Sequence, residues 1–328
     1  MKATVLFSIA GILLPALTSE AANLSNPTTY HGMCDASAAV SLGTNLFIVA
    51  NDEDNILRVY RREPGGLPAF TFDMTAFLRI GRKSPETDIE ASATIGDRIY
   101  WITSHGQNAK GKNAPNRERF FATTCTVQGD NVKLTPVGKP YASLLLDLAS
   151  APQLAQFRLA TAAKRAPKSP GALNIEGLTA TPEGHLLIGF RNPIPAGKAL
   201  LVPLLNPGEL IEGRSAKLGN PLLLDLGGLG IRSMGYDGGK FLIIAGPFDN
   251  EGQSRAYEWD GKSPTPRLLP DIRFPGANPE GLAFSKPDGK AEFFILSDDG
   301  TLKIDGVDCK KVKDPNRRQF RGYSLNLE

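Results

Sequence analysis

An all-β fold is predicted by three features of the 328-residue sequence. Apolar residues make up 41% of the chain and fall mainly into short runs. The 34 glycines and 25 prolines stand mostly singly between those runs, as expected for many short strands joined by tight turns. The third feature is a motif that recurs along the chain, and its spacing predicts how the strands are arranged.

Each copy of the motif has a polar residue, small and apolar residues, a turn that contains glycine, an apolar strand and a polar cluster. A third strand follows several copies, for example "ILRVYRR" and "RAYEWDG". Repeats of roughly 50 residues are typical of propellers, in which small twisted sheets pack in a ring because one sheet cannot bury both faces alone. The copies begin at Cys34, Asp88, Asn174, Gly230 and Asn278.

The repeat predicts a β-propeller with five blades, or six if a degenerate blade lies between the second and third motifs. The alternative, a β-sandwich, does not explain why every copy of the motif has a polar residue at the head of its first strand. In the long interval between these motifs, we expect an insertion of one or two helices at about residues 141–165, with Leu159 off their apolar face. Helical spacing is shown there by Leu144, Leu145, Leu148, Leu154 and Phe157.

Residues 1–21 are predicted to be a signal peptide, with Lys2 before the apolar run 5–17 and a small-x-small cleavage site at 19–21. A membrane anchor is the alternative, but the run is short for a span of about 20 apolar residues. We expect residues 22–328 to form a single propeller domain, exported to the periplasm or the medium, monomeric and without a membrane span after cleavage.

Export makes the three cysteines, Cys34, Cys125 and Cys309, candidates for oxidation. Three cysteines allow one disulfide and one remaining thiol, and the spacing does not decide which pair forms. A bridge between Cys34 and Cys309 would close a very long loop.

The charge pattern excludes some classes of function. The net charge is +3, and the basic residues are dispersed, so no nucleic-acid partner is expected. The chain has only three histidines and no Cys/His cluster of the kind that binds zinc. Neither a glycine-rich phosphate loop nor a dinucleotide-binding fingerprint is present.

A functional face is predicted from the geometry of a blade. The first strand of a blade runs along the central channel, and the second strand runs antiparallel to it. The start of the first strand and the end of the second strand therefore lie on the same rim of the propeller. Two long excursions, 104–119 and the helical insertion, reach the same rim, and loops on a rigid scaffold concentrate binding and catalysis. The heads supply Asp35, Glu90, Glu176, Arg232 and Glu280.

The acidic heads require an explanation, because two carboxylates about 7 Å apart repel by roughly 2 kcal/mol at an effective dielectric near 20. They either cap the backbone of neighbouring blades, contact a ligand directly, or bind a divalent cation. Ca²⁺ is the cation that suits such oxygen ligands best. The candidate metal ligands are Asp35, Glu90, Glu176 and Glu280.

Basic residues on the rim have two interpretations. Arg232 either forms a salt bridge with Glu176 or Glu280, or holds an anionic ligand through its planar guanidinium. His105, in the rim loop, is either the candidate general base or a loop histidine that is solvated or locally hydrogen-bonded. Further candidate ligand-binding arginines, if they converge on Arg232, are Arg117, Arg119 and Arg191.

The motifs also carry a resemblance to a known family. "DIEASATIGDRIYWITSHG", "NIEGLTATPEGHLLIGFRNP" and "GGLGIRSMGYDG" resemble the bacterial family catalogued as domain of unknown function number 3616. This resemblance implies a propeller-like fold and no established activity.

The "xxEGL" strand heads are more distantly similar to phytase-like esterase propellers and gluconolactonase-type propellers. In the latter, acids and amides at the channel mouth hold a divalent cation that polarises a lactone. The similarity implies Glu90, Glu176 and Glu280 as ligands here. Arg232 departs from that pattern, and the matching asparagines are absent from this sequence.

Two hypotheses of function follow. The first is a secreted, metal-assisted hydrolase of a small anionic substrate, a phosphoester or a lactone, in which Arg232 orients the anion and His105 moves a proton. The second is a non-catalytic propeller whose rim binds a glycan, a peptide or a partner protein, with the acids only fixing the blades.

Overall fold

The first strand of each predicted motif contacts the first strands of both neighbouring motifs, so that five strands surround a central channel. The protein is described here from a computed structural model that covers residues 24–81, 85–129 and 131–326. The predicted signal peptide lies outside the described residues. Among the described residues, no helix is long and apolar enough to cross a membrane.

Every blade is a four-stranded antiparallel sheet, and five such sheets are present in the described chain. The chain starts with strand β1 (Thr28–His31). Blade one, from the channel outwards, consists of β2 (Ala36–Leu42), β3 (Leu46–Asn51), β4 (Ile56–Arg61) and β5 (Phe70–Asp73). Blade two consists of β6 (Ile89–Ile95), β7 (Arg98–Thr103), β8 (Phe120–Gln128) and β9 (Asn131–Tyr141).

Blades three and four repeat this order. Blade three consists of β10 (Asn174–Ala180), β11 (Leu186–Asn192), β12 (Ala199–Leu204) and β13 (Leu222–Leu224). Blade four consists of β14 (Gly230–Tyr236), β15 (Phe241–Gly246), β16 (Arg255–Trp259) and β17 (Arg267–Leu268).

The last blade closes the ring with strands from both ends of the described chain. It starts with β18 (Pro279–Ser285) and β19 (Glu292–Ser297), which are followed by a separate hairpin, β20 (Lys303–Ile304) and β21 (Val307–Asp308), and then by β22 (Gln319–Asn326). The outermost strand is β1, which pairs antiparallel with β22. A disulfide between Cys34 and Cys309, 275 residues apart, joins the same two regions, and Cys125 is a free thiol.

The second strands explain why apolar runs are continuous in this sequence. All six residues of β3, "LFIVAN", are buried, and so are all six of β15, "FLIIAG". A strand in the middle of a blade has neighbouring blades against both faces, so both sets of alternating side chains enter a core, as in other sheets that are covered on both sides.

The five four-stranded sheets confirm the five-blade alternative of the prediction.

Short helices connect these strands. They are α1 (Thr75–Leu78), α2 (Leu144–Ser150), α3 (Leu159–Ala162) and α4 (Pro207–Leu210). Single 3₁₀ turns lie at Pro115–Arg117, Pro152–Phe157, Pro195–Gly197, Pro287–Gly289, Cys309–Lys311 and Pro315–Arg317.

The predicted helical insertion is confirmed between blades two and three. Leu144, Leu148 and Leu154 are buried in one core cluster with side chains of both blades, and Phe157 packs against it. Leu159 was expected to lie off the apolar face, but it is buried in the same cluster. The reason is a break in the helix, because Arg158 adopts a left-handed conformation that turns α3 back onto the core.

Candidate functional site

A β-bulge interrupts the first strand of four blades, at the position of the charged motif residue. The register shifts bracket Glu90, Glu176, Arg232 and Glu280. A bulge re-aims the side chain of the extra residue, and here it turns a charged group towards the mouth of the channel. These side chains are enclosed: the residues are 8%, 3%, 1% and 7% exposed, respectively.

Blade one departs from this series. Its bulge lies between Ala36 and Ala39, so Ser37 occupies the place of the glutamates and donates a hydrogen bond to the Ile89 carbonyl of blade two, at 2.5 Å. Asp35 instead precedes its strand, and its carbonyl accepts from the Asp52 main-chain N–H at 3.3 Å. The prediction grouped Asp35 with the glutamates, whereas the structure places it two residues earlier, at the base of the rim.

A buried network of ion pairs joins blades three, four and five. Glu176 Oε1 accepts hydrogen bonds from Arg191 Nη1 and Asn174 Nδ2, both at 2.8 Å. Arg232 Nε lies 4.0 Å from Glu176 Oε2, and Arg232 Nη2 pairs with Glu280 Oε1. The predicted salt bridge of Arg232 is therefore confirmed, and it involves both glutamates.

Asn250 completes the network. Its Oδ1 accepts hydrogen bonds from Arg191 Nη2 and, at 3.4 Å, from Arg232 Nη1. Burial lowers the pKa of Arg232 to about 10, and the neighbouring Arg191 acts in the same direction. The side chain stays charged at neutral pH, and its charge neutralises acids that would otherwise repel each other.

Glu90 is the head that no arginine neutralises by direct contact. It has neither a hydrogen bond nor an ion pair to any residue in the described part of the chain. Burial raises the pKa of Glu90 well above its ordinary value, and repulsion from Asp88 and Glu176 adds to this effect. A buried carboxyl group of this kind either holds a proton or requires a cation nearby.

An acidic cluster lies next to Glu90 at the blade-one side of the mouth. Asp35, Asp52 and Glu53 each place a carboxylate oxygen within 4.8 Å of the others. Asp52 and Glu53 follow strand β3, which returns to the rim beside Asp35 because these two segments are the ends of one hairpin. Asp298 of blade five forms a β-bridge with Asp35 and extends the negative charge.

The pKa values show that the cluster does not bear its full charge without compensation. Burial raises the pKa of Asp35 to about 7, with repulsion from Asp298 as the second cause. Burial also raises the pKa of Asp52 well above its ordinary value, and Asp298 and Glu90 contribute to this shift. The compensating cation nearest to the cluster is Lys310, whose Nζ lies 2.9 Å from Glu53 Oε1.

These donors fit a hard divalent cation. Ca²⁺ and Mg²⁺ take carboxylate oxygens as ligands, and a bound cation would relieve the repulsion that raises the pKa values. Asp52 Oδ1 is buried and has no hydrogen-bond partner among the described residues, so one potential ligand atom is free. The sequence analysis placed the ends of the second strands on this rim but assigned no role to Asp52 or Glu53. Two adjacent acids directly after a buried strand were the available signal.

The other predicted arginines do not converge on one point. Arg117 pairs with Asp88 at 2.8 Å and with Glu86, on the acidic side of the mouth. The Arg119 guanidinium donates to main-chain carbonyls, which include Leu78 O at 3.2 Å. Of the three predicted arginines, Arg191 alone shares partners with Arg232, since both contact Glu176 and both donate to Asn250.

His105 is buried rather than solvated. Its Nδ1 lies 2.7 Å from the Thr103 carbonyl oxygen, so Nδ1–H is the donor and Nε2 carries the lone pair. Burial lowers the pKa of His105 to about 4, and the imidazole is neutral at physiological pH. Within the described chain no carboxylate forms a hydrogen bond with it, so the orienting acid that a general-base histidine usually has is not among these residues.

A lysine from the helical insertion completes the mouth, and sequence reasoning missed it. Asn192 Nδ2 donates to the carbonyls of Pro167, at 3.0 Å, and Ser169, at 2.8 Å, which fixes the backbone on both sides of Lys168. Partial burial lowers the pKa of Lys168, and Arg191 and Arg232 lower it further, while Glu176 raises it. The ammonium group therefore lies within the electrostatic field of the ion-pair network.

One known protein family matches part of the chain. The family described as "Protein of unknown function (DUF3616)" matches residues 128–269, which confirms the resemblance inferred from the motifs. This segment contains the insertion, Glu176, Arg191 and Arg232, and it excludes the acidic cluster of blade one. None of the curated proteins matches the chain by sequence.

Three solved structures illustrate the structural similarity. A luciferin-regenerating enzyme is 8% identical with a TM-score of 0.42, over 92% of this chain and 96% of its own. The RS223 β-xylosidase is 10% identical with a TM-score of 0.48, over 92% and 94%. An engineered GH43 glycoside hydrolase is 14% identical with a TM-score of 0.42, over 84% of this chain, which spans 50% of that one.

Proposed function

We propose that the protein is a metal-assisted hydrolase that acts on a small anionic ester, a phosphoester or a lactone, at the mouth of the propeller channel. The observation that carries the proposal is the juxtaposition of the acidic cluster, Asp35, Asp52 and Glu53, with the unpaired and buried Glu90. Perturbed carboxyl groups that gather in a cleft are typical of functional sites.

The cation would be held by Asp35, Asp52 and Glu53, and it would supply Lewis-acid polarisation of a phosphoryl or carbonyl oxygen. Lys168 would bind the anionic part of the substrate, since its ammonium has no salt-bridge partner among the described residues. Arg191 and Arg232 contribute positive potential, although both are already ion-paired with Glu176 or Glu280.

Glu90 is the residue that we assign to proton transfer. A general base works best when its pKa is near the operating pH, and the pKa of Glu90 is raised by burial and by neighbouring acids. His105 is less suited to this role because burial lowers its pKa to about 4.

Export is part of the proposal. The Cys34–Cys309 disulfide is of the kind that persists in oxidising compartments, and this agrees with the predicted signal peptide. The enzyme would therefore act in the periplasm or the medium.

The test begins with thermal unfolding after chelation, titrated with Ca²⁺, Mg²⁺, Mn²⁺ and Zn²⁺. A ligand at about 100 times its Kd adds roughly 2.7 kcal/mol, which raises the Tm by several degrees. We expect one cation to do this, Asp52→Asn to abolish the shift, and Asp271→Asn, an exposed acid outside the mouth, to retain it.

Activity is then measured with the loaded protein on 4-nitrophenyl phosphate, bis(4-nitrophenyl) phosphate and gluconolactone. We expect Glu90→Gln to keep the cation shift and lose turnover of the accepted substrate. If no cation raises the Tm and Asp52→Asn changes only stability, the hydrolase proposal is wrong, and the protein is a binding propeller whose acids fix the blades.

A further inference from the structure

A pocket of about 440 Å³ lies beside the channel mouth, between the helical insertion and the rim of blades three and four. Residues between 156 and 171 form one wall, and residues 192–195 with Phe248 form the other. The volume is in the range of small-molecule sites, about 300–1,000 Å³. None of the acids proposed to bind the cation lines this pocket.

The lining of the pocket combines apolar surface with positive charge. Phe157 and Phe248 are half-buried and present aromatic rings, and Pro193 and Ile194 add aliphatic surface. The lining residues include two arginines, Arg158 and Arg165, and no aspartate or glutamate. The pocket therefore carries two positive charges without an acid in its own wall.

Arg158 has no hydrogen bond or ion pair from its guanidinium to a described residue. Arg165 uses one nitrogen, since its Nη1 donates to the Pro170 carbonyl at 2.9 Å. Each guanidinium has five N–H donors, so most of this capacity is available to a ligand. Planar guanidinium groups match carboxylate and phosphate oxygens in geometry.

The backbone of Arg158 is held in an unfavourable conformation. Its φ is 49° and its ψ is 44°, a left-handed region that is unfavourable for a residue other than glycine. The Arg158 carbonyl accepts from the N–H groups of Thr161, at 2.8 Å, and Ala162, at 3.0 Å, so α3 fixes this geometry.

We propose that this pocket binds an organic anion with an apolar body, such as an aryl carboxylate or aryl phosphate. Arg158 and Arg165 would bind the oxyanion, while Phe157 and Phe248 would pack against the body. The proposal does not depend on the hydrolase function. If both hold, the pocket receives the apolar part of the substrate, because Asn192 adjoins Arg191 and Phe248 lies two residues before Asn250.

The test is isothermal titration of the purified protein with 2-naphthoate. Inorganic phosphate serves as an anion without an apolar body, and 2-naphthalenemethanol as an apolar body without charge. We expect 2-naphthoate to bind with one-to-one stoichiometry and both comparison compounds to bind at least about tenfold more weakly, since a hydrogen bond to a charged group contributes about 1.5–3 kcal/mol.

Arg158→Gly removes the guanidinium and suits the left-handed backbone, so a folding defect is not expected. Arg79→Gly is the matched control, because Arg79 is another exposed arginine in the left-handed region, with φ of 56°, and lies outside the pocket. We expect Arg158→Gly to weaken 2-naphthoate binding by tenfold or more, Arg158→Lys and Phe248→Ala to weaken it less, and Arg79→Gly to leave it unchanged.

The proposal is overturned if 2-naphthoate does not bind, or if Arg158→Gly and Arg79→Gly bind it as tightly as the wild type. Asp52→Asn separates this result from the hydrolase proposal. It should retain 2-naphthoate binding even where it abolishes the response to a cation.

Discussion

The carbonyl oxygen of Arg191 lies where a side chain on Gly230 would be: a Cβ built on Gly230 would be 1.9 Å from it. Arg191 is the penultimate residue of the second strand of blade three, and Gly230 begins the first strand of blade four. The close approach of these two strands brings Arg191 and Arg232 to the same Glu176. Glycine at this position is therefore required by the packing of the blades and, through it, by the ion-pair network.

Gly230→Ala should destabilise the protein by about 1–3 kcal/mol or more, because backbone atoms must move to admit the methyl group. Urea unfolding measures the change. Gly81→Ala is the control, since a Cβ there meets no atom of a described residue within 4 Å, and it should change stability by less than about 0.5 kcal/mol. Equal effects of the two substitutions would contradict the packing argument.

Glu176→Gln should lower stability by about 3–5 kcal/mol, the usual loss when one partner of a buried ion pair is removed, because Arg191 and Arg232 lose their shared acid. The same variant should keep the cation-induced rise in Tm, since Glu176 is already paired with Arg191. The double variant Glu176→Gln/Arg191→Met should cost less than the sum of the two single substitutions. Loss of the cation response in Glu176→Gln would instead place this residue in the metal site.

Reduction of the disulfide should lower stability, because Cys34 and Cys309 connect regions 275 residues apart. The combined Cys34→Ser/Cys309→Ser variant should lose about 2–5 kcal/mol, measured by denaturant unfolding. In that variant, dithiothreitol should have no further effect. Cys125→Ser, at the free thiol, should leave both the stability and the sensitivity to reductant close to wild type.

The metal-free protein should lose stability as the pH rises from 5 to 7 more steeply than Asp35→Asn does. The pKa of Asp35 is raised from 3.8 to about 7 in the native state. In this window the native state holds a proton that the unfolded state has released, so stability falls with rising pH, by at most about 1.4 kcal/mol per pH unit for one group.

His105 acts in the opposite direction, since its pKa is lowered from 6.5 to about 4, and the unfolded state binds the extra proton. This contribution is the same in wild type and Asp35→Asn, so the difference between their unfolding curves reports Asp35 together with its repulsion of Asp52. Parallel pH profiles for the two proteins would contradict a raised pKa at this position.

Much of the architecture was predictable because it rests on local chemistry that repeats. Glu90, Glu176 and Glu280 each follow an apolar or proline residue and precede a small one, and this recurrence located the bulged strand heads. The reversal of charge at Arg232 indicated a neutralising partner, and Glu176 and Glu280 are both in contact with it.

The composition of the site was less predictable. Asp35 was aligned with the glutamates, but a bulge adds a residue to the strand, and the structure assigns the equivalent position to Ser37. Asp52 and Glu53 were visible as a polar strand end, yet the negative charge that Asp298 adds beside Asp35 depends on how the hairpin of blade one meets blade five. His105 belongs to a loop whose burial no local pattern reveals.

The sequence pattern alone predicted five blades with six as the alternative, the rim on which charged residues gather and the place of the helical insertion, because strand and helix periodicity and turn chemistry are local properties. The closure of the ring decided the contacts between distant parts of the chain. It paired β1 with β22, selected Cys34 and Cys309 as disulfide partners, and brought Lys168 to the mouth through Asn192. Electrostatic pairing acts between atoms that are close in space, and only the closed ring brings these residues from distant parts of the chain together.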